Sequence, residues 1–536
     1  MNALPHPPSG NIAELLLQKA QEHPDKIALV FPHNKGDIEY TYAQLQDLVW
    51  TFMQELREHN IQENDRIVIL FPVSVELYTL IAAIYSIGAV AVLIDPGMGL
   101  SRITSALKTA KPKALVSTKA ALKFRWFIPA LWRIQTFFCI NGTSWGCIPI
   151  GQSQKEPQPQ SIIPRKEQDQ ALITFTSGST GAPKGANRHH QFLLAQHHAL
   201  LKSFPPHENQ IDMTCFPVVV FHNLSCGHTT IIPDCDISKP ASMSPDIVCT
   251  QMQQYSVTSL SAAPAFIDKL TTYLKNSREK LPSLKVMALG GAPISARLQQ
   301  NICETLPHVD SIAVYGSTEA EPIAHHHIHT PIIDKDAFIA GTPVDFIELK
   351  VVNFPNSPPQ NQDVSTFETQ EVGEIIVSGT HVNQSYIDNP KANAENKIKD
   401  GKGKIWHRTG DRGYFDEHGC LWLTGRINDI VHHSQQVLDP FPLESRLLKI
   451  PFIKQVALLE SNQKGYLFLS VDKTTDDVIS TIKNRLLESE KNLIICLADA
   501  LPVDGRHNSK IDRPTIRKWL RYAWWYTRTQ YKELSS

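Results

Sequence analysis

Three glycines, five hydroxyl side chains and one lysine stand together in Thr174-Phe175-Thr176-Ser177-Gly178-Ser179-Thr180-Gly181-Ala182-Pro183-Lys184-Gly185, directly behind the apolar run Ala171-Leu172-Ile173. That composition suits phosphate. Glycines let backbone N–H groups close on an anion, hydroxyls donate as well, and Lys184 adds a mobile point charge. In a Walker P-loop a glycine precedes the lysine and Ser or Thr follows it. Here Pro183 precedes Lys184 and Gly185 follows. A flexible Ser/Gly/Thr loop is the other reading of this stretch.

Later segments carry complementary chemistry. Residues 286–289 read as a strand running into Gly290-Gly291-Ala292-Pro293, with a helix from about Ser295, which makes either a flat slot or a plain structural turn. Ile312-Ala313-Val314-Tyr315-Gly316-Ser317-Thr318-Glu319 reads as a strand ending in a glycine turn. Tyr315 can stack on a purine, Thr318 can bond a phosphate or carboxylate, and Glu319 offers the hard oxygen that Mg²⁺ prefers. Trp406-His407-Arg408-Thr409-Gly410-Asp411 is followed, past a hairpin turn at 416–419, by Leu421-Trp422-Leu423-Thr424-Gly425-Arg426. A carboxylate such as Asp411 suits two vicinal ribose hydroxyls, and an Asp after Gly is equally a common turn residue. Leu501-Pro502-Val503-Asp504-Gly505-Arg506-His507-Asn508-Ser509-Lys510-Ile511-Asp512-Arg513 carries Lys510, which in isolation reads as a surface lysine.

In this order the segments resemble the adenylate-forming superfamily: acyl-CoA synthetases, firefly-luciferase-like enzymes and the adenylation domains of peptide synthetases. The resemblance implies ATP and Mg²⁺ as cofactors. It assigns Thr176, Ser177, Gly178, Ser179, Thr180, Gly181 and Lys184 to the phosphates and Gly291, Ala292 and Pro293 to adenine. Tyr315, Gly316, Ser317 and Thr318 would also touch the nucleotide, Asp411 and Arg426 the ribose, and Glu319 and Thr180 the metal. Catalysis would rest on Lys510, Glu319, Lys184 and Thr318. Lys510, brought in by domain closure, would stabilise the charge that develops in the transition state. Phe221, His222 and Asn223 would line the acyl pocket, although Phe216-Pro217-Val218-Val219-Val220-Phe221-His222-Asn223 also reads as a hydrophobic strand.

Finer features are similar to the branch that contains the β-lactone synthetases of bacterial long-chain olefin biosynthesis: Arg506-His507-Asn508-Ser509-Lys510, Pro233-Asp234 and Leu281-Pro282-Ser283-Leu284. Where acyl-CoA synthetases carry a small Gly-Gly pair after the hinge, this chain has Ser434-Gln435, which narrows a path for pantetheine. Asn428 replaces the usual hinge Asp or Lys, while Pro440 and Glu444 match. The implied reaction is ATP-dependent adenylation of a long-chain or otherwise hydrophobic carboxylic acid, followed by attack of its own β-hydroxyl to give a β-lactone and AMP. Thioester formation with coenzyme A or a carrier thiol is the alternative product, and a non-catalytic nucleotide or acyl binder is the reading from another class.

The elements that must position these residues alternate. Asn11 can cap a helix ending near Pro24, residues 27–30 read as a strand, Thr41 opens a helix with Leu45, Leu48, Val49 and Phe52 on one face, and residues 66–70 read as a strand. The fold class expected is α/β: a large N-terminal domain (1–425) with parallel or mixed sheets flanked by helices, and a small mobile α+β C-terminal domain (426–536). In the latter, residues 453–459 and 465–471 read as strands and 475–490 as a helix. Residues 77–94 lack charge over nearly the length of a membrane span, but Ser86, Gly88 and Asp95-Pro96 favour a buried helix followed by a core strand. Residues 123–138 mix Trp126, Phe127, Trp132, Phe137 and Phe138 with Lys123, Arg125 and Arg133; they fit a membrane surface, a contact with a pathway enzyme, a substrate mouth, or packing on a neighbouring helix. Residues 151–170 read as a solvated connector and 353–370 as a polar excursion on a hairpin. His325-His326-His327 with His329 reads as a polar loop rather than a metal site, for want of ligand spacing.

At 536 residues the chain exceeds one ordinary core. A net charge of -1 gives no global pull toward nucleic acid, so a small-molecule partner is expected. Nine scattered cysteines without a Cys-x-x-Cys pair, and no basic-then-apolar leader, point to a reducing, cytoplasmic setting, with attachment to a membrane surface through 123–138 the one qualification.

Overall fold

Local signals and burial agree in the first helices. Thr41 and Gln44 form a reciprocal capping box at the start of Tyr42–Glu58, and Leu45, Val49 and Phe52 of that helix are fully buried. Asn11 Oδ1 accepts from Ala13 N at 3.1 Å at the start of Ala13–Glu22, while its Nδ2 donates to the Tyr85 carbonyl. The computed structural model describes residues 7–33, 36–153, 155–176, 183–331, 335–353, 371–433, 436–472, 476–504, 510–521 and 532–533.

A seven-stranded sheet is built from β1 (Arg66–Leu70), β2 (Val90–Leu93), β3 (Ala114–Thr118), β4 (Thr136–Ile140), β5 (Ile148–Ile150), β6 (Gln170–Thr176) and β7 (Lys184–His189). Their spatial order is β5-β4-β3-β1-β2-β6-β7, parallel except for the antiparallel hairpin β6/β7. The uncharged run at 77–94 divides into the buried helix Val75–Ser86 and strand β2; among the described residues no helix is long and apolar enough to cross a membrane.

A second sheet, of fourteen strands, has a parallel half and an antiparallel half. Within it β8 (Val286–Gly290) and β9 (Asp310–Ser317) are parallel, β9 turns back as β10 (Ala320–His327), and β11 (Ile405–Phe415) pairs with β12 (Leu421–Arg426). A small C-terminal domain follows, in which Ile453–Ser461, Lys464–Val471, Ile494–Leu497 and Lys532–Glu533 form a four-stranded sheet with its own apolar clusters. All nine cysteines are free.

Several local expectations need correction. The run from Phe216 is not a strand: Pro217–Cys226 is a helix, begun by Pro217 at its first turn and stopped by Gly227 at φ +79°. A continuous apolar run has no period to tell a buried helix from a buried strand, so only the flanking Pro and Gly carried the signal. The histidine run is not a loop. His325, His326 and His327 lie on β10, paired with Val314, Ala313 and Ile312 of β9. Gly316 does not end β9, which continues to Ser317, so the turn falls at Thr318 and Glu319. The helix expected over 475–490 is Asp476–Asn484, with a separate 3₁₀ turn at Glu488–Glu490 where Leu487 is extended. The polar excursion at 353–370 does join two antiparallel strands, Ile347–Val352 and Gly373–Gly379, though 354–370 lie outside the described residues.

Candidate active site

The glycine slot and the Tyr315 segment leave neighbouring parallel strands at the same end. Gly290 lies opposite Val314, and a Cβ on Gly290 would stand 2.9 Å from the Val314 carbonyl oxygen. Gly291 then turns at φ +92°, which L side chains avoid, and Ser295 Oγ caps Ala296–Thr305 by accepting from Leu298 N at 3.2 Å. Residues 291–293 thus occupy the carboxyl end of a parallel strand beside Tyr315, where open α/β sheets bind ligands.

Tyr315 donates to Asp411 Oδ2 at 2.8 Å, and Arg426 Nε stands 3.0 Å from Asp411 Oδ1. The β11/β12 register places 411 opposite 426. Burial, reinforced by Asp411, pushes the Tyr315 phenol well above its usual range, and the Asp411 carboxylate raises Arg426 further. This is a fixed array in which one carboxylate is held by a phenol and a guanidinium.

At the β9/β10 turn, Thr318 presents its carbonyl to Arg188 Nη2 at 2.5 Å, and Glu319 Oε1 accepts from Tyr386 O–H at 2.9 Å. Lys184, opposite Thr176 at the base of the β6/β7 hairpin, donates to Asn396 Oδ1 at 3.3 Å with its Nζ 5.7 Å from the Tyr386 ring centroid. Lys397 Nζ lies 5.1 Å from the same ring and donates to the Asn383 carbonyl. Burial pulls Lys397 down to about 7, opposed by the Glu319 charge and aided by that of Lys184. Two lysines and a carboxylate therefore gather around one phenol.

The donor chemistry fits Mg²⁺ and phosphate. Glu319 supplies a hard oxygen, and no described hydrogen bond reaches its Oε2. Ser317 Oγ and Thr174 Oγ1 are buried without a partner among the described residues, as hydroxyls awaiting a ligand would be. Ser177, Gly178, Ser179, Thr180, Gly181 and Ala182 lie outside the described residues, as do Ser434, Gln435 and 505–509.

Lys510 directly precedes Ile511, which bridges to Val503, and its N–H donates to Asp504 Oδ1 at 2.9 Å. Its positive charge reaches Glu321 on β10: burial raises that carboxyl, and Arg188 and then Lys510 oppose the rise.

On the helix Pro217–Cys226, Phe221 packs against Tyr78 and Tyr85, with ring centroids 5.7 and 6.2 Å away. Asn223 is buried and spends its amide on Asp212 Oδ2 at 2.8 Å; burial pushes Asp212 up to about 7. His222 Nδ1 meets His197 Nδ1 at 3.1 Å, and its Nε2 faces Cys226 Sγ at 3.7 Å. One ligand atom from each of these three residues spreads over as much as 4.8 Å, whereas a tetrahedral zinc site needs edges of roughly 3.3–3.7 Å, so the cluster is a hydrogen-bonded one. Burial holds His197 down at about 4 and His222 well below its ordinary value.

Sequence motifs gave no sign of Arg188, Glu321, Tyr386, Asn396 or Lys397. Each is brought in from another strand or loop, and only the aromatic character of Tyr386 before Asn389-Pro390 marks that segment at all.

Comparison with known proteins gives the same frame. The chain is 29% identical to the olefin beta-lactone synthetase of Stenotrophomonas maltophilia and 27% identical to that of Xanthomonas campestris, over 95% of this chain and 98% and 97% of theirs. Its fold is shared with the amide bond synthetase McbA from Marinactinospora thermotolerans (TM-score 0.80, 20% identity, 96% of this chain and 100% of that one). It is shared also with the anthranilate CoA ligase AuaEII, solved with anthranoyl-AMP (TM-score 0.82, 20% identity, 97% and 98%), and with an O-succinylbenzoate CoA synthetase from Bacillus subtilis, solved with ATP and magnesium (TM-score 0.75, 20% identity, 93% and 98%). Residues 16–387, well over half of its length, match the family described as AMP-binding enzyme, and the chain belongs to that family.

Proposed function

We propose that this protein activates a long, apolar 3-hydroxy acid with ATP and Mg²⁺ and closes it to a β-lactone with release of AMP. The observation that carries the reading is the gathering of Lys184, Glu319 and Lys397 around Tyr386, beside the Tyr315–Asp411–Arg426 array, in a chain similar along its length to olefin beta-lactone synthetases.

In the first step a carboxylate oxygen of the acid attacks the α-phosphorus, the bond to the bridging β-phosphate oxygen breaks, and pyrophosphate leaves. Asp411 takes the ribose hydroxyls, held in place by Arg426 and Tyr315. Residues 291–293 lie along the base. Thr176, Lys184 and the hydroxyl loop beyond Thr176 hold the phosphates, with Ser317 and Thr318 at the reacting end. Glu319, oriented by Tyr386, and Thr180 would hold Mg²⁺, which would supply neutralisation of phosphate charge. Lys510 faces the charge that develops on the α-phosphate. In the second step the β-hydroxyl oxygen attacks the acyl carbonyl carbon, the acyl–phosphate C–O bond breaks, and AMP leaves as the hydroxyl proton passes to phosphate or solvent. An intramolecular nucleophile needs no second substrate site.

The acyl chain runs along Phe221 and His222, with Asn223 fixing the helix behind them through Asp212. The domain boundary falls at Gly425-Arg426, ahead of the 3₁₀ turn Ile427–Asp429. The reading includes a peripheral contact through 123–138, supported by exposed aromatic rings there. Pyrophosphate release and product identity, measured with fatty acids and 3-hydroxy acids with and without coenzyme A, test the proposal. Lactone and AMP without added thiol are expected. No release with any acid overturns adenylation, and thioester without lactone overturns the product.

A further inference from the structure

Twelve large hydrophobic side chains are exposed among the described residues, and five of them fall within 22 positions: Phe124, Trp126, Phe127, Trp132 and Trp145, at 55–81% exposure. They are not loose. Arg125 is buried beneath them, donates to the Leu122 carbonyl at 3.0 Å and to the Trp145 carbonyl, and stacks 4.6 Å from the Trp126 ring centroid. Trp126 and Trp145 are 5.8 Å apart, and Trp132 Nε1 donates to the Trp126 carbonyl at 3.2 Å. Two 3₁₀ turns, Arg125–Phe127 and Pro129–Arg133, thus form a preorganised aromatic ridge with its rings in water. Apolar patches of this kind mark interaction sites.

The charge around the ridge has one sign. Between Asp95 and Glu156 the sequence has nine lysines and arginines and no aspartate or glutamate, in a protein whose net charge is -1. Lys111, Lys113 and Lys155 are paired with Asp388, Asp65 and Glu58. Arg102, Lys108, Lys119, Lys123 and Arg133 are exposed and in no ion pair among the described residues. Glu76, a further acid that another element brings to this region, accepts from Asn141. Trp and Phe rings bordered by uncompensated cations match the headgroup boundary of an anionic bilayer, where rings enter the interface and lysines meet lipid phosphates.

Position adds a reason. Trp145 follows the carboxyl end of β4 and the ridge begins after the carboxyl end of β3, the same rim of the parallel sheet at which β6 ends in Thr176. Three to four strand spacings separate them, roughly 14–20 Å. We infer that the ridge bearing Phe124, Trp126, Phe127, Trp132 and Trp145, with Lys119, Lys123 and Arg133, docks this enzyme on an anionic lipid surface. Docked there, the rim at which β6 ends in Thr176 faces the phase in which a long apolar acid and its lactone dissolve. The docking itself does not depend on the reaction proposed above.

Flotation of the full-length protein with vesicles tests it, using phosphatidylcholine alone and phosphatidylcholine with roughly 30% phosphatidylglycerol. The protein is expected to float with the anionic vesicles only, and about tenfold less in high salt, where the screening length falls to about 3 Å. Phe127→Ser with Trp132→Ser, and separately Lys119→Glu with Lys123→Glu and Arg133→Glu, should each reduce the floating fraction at least about tenfold. Pyrophosphate release with a short water-soluble acid, measured without vesicles, should stay at the parent level in both variants and shows that they are folded. No flotation of the parent protein overturns the proposal and leaves the ridge to a protein partner. Equal flotation of parent and charge-reversed proteins overturns it also.

Discussion

The nucleotide side and the acyl side of the proposed site differ in how they use titratable groups. Around Tyr315 and Tyr386, acidic and basic side chains are set against one another at strand ends: Asp411 between Tyr315 and Arg426, and Glu319 on Tyr386 with Lys184 and Lys397 nearby. Around the helix Pro217–Cys226, burial shifts such groups toward their neutral forms: His190 at about 3, His197 and His228 at about 4, His222 well below its ordinary value, Asp212 at about 7 and Cys226 at about 12. A polyanion is recognised by fixed counter-charges, whereas an apolar chain needs a wall with no charge in it.

Acid should break the comparison most strongly. A histidine held neutral has a folded pKa below its unfolded value, so its stabilising effect is complete above the unfolded value and is lost as pH falls from about 6.5 toward the folded one, at about 1.4 kcal/mol per unit. Asp212 works the other way and gains stability as pH falls from about 7 toward its unfolded value near 3.9. Four histidines outweigh one carboxyl on the acyl side, and the nucleotide side carries His407, His326 at about 4, and His325 and His381, all pulled down by burial. Between pH 6.5 and 4 the melting temperature should fall. Hydrogen exchange should show Pro217–Cys226 and His190–Ser203 losing protection over that range. Protection unaltered in these helices down to pH 4 would overturn this account of the buried histidines.

Lys510→Ala comes next. Adenylation should fall by about 10²–10³-fold while ATP affinity changes by no more than about threefold, because the group acts on charge that develops in the transition state. Pyrophosphate release and equilibrium nucleotide binding separate the two quantities.

Asp411→Asn and Phe221→Ala should divide along the two sides. Removing the Asp411 charge leaves Arg426 without its ion-pair partner and should weaken nucleotide binding by about 1.5–3 kcal/mol. Phe221→Ala should raise KM for long acids by about 10-fold or more and leave KM for ATP unaltered. Matched losses for both substrates from either variant would mean that the two sides act as one unit.

The smallest effect is a proton. Lys397, pulled down to about 7, should take up a proton as the triphosphate arrives, close to about one per site at pH 8.5. Calorimetry of ATP binding in buffers of different ionisation enthalpy reads this directly, and Lys397→Met should abolish it.

The order of motifs, the strand before each glycine turn, the capped helix at Thr41 and the small C-terminal domain were legible in the sequence, because each is written in neighbouring residues whose backbone preferences are local. Composition misled at Pro217–Cys226 and at His325-His326-His327, where a run of one chemical character carried no period.

The sequence by itself determined which groups the proposed site can draw on for phosphate, metal, ribose and a developing negative charge. Only the tertiary structure decided which of them meet. Tyr386 reaches Glu319 across 67 residues, Tyr315 reaches Asp411 across 96, and Lys184 reaches Asn396 across 212. Burial, and so the charge state of Lys397 and of the histidines around the acyl helix, is likewise a property of packed neighbours. Such contacts arise from sheet register and packing between distant elements, which no local preference encodes.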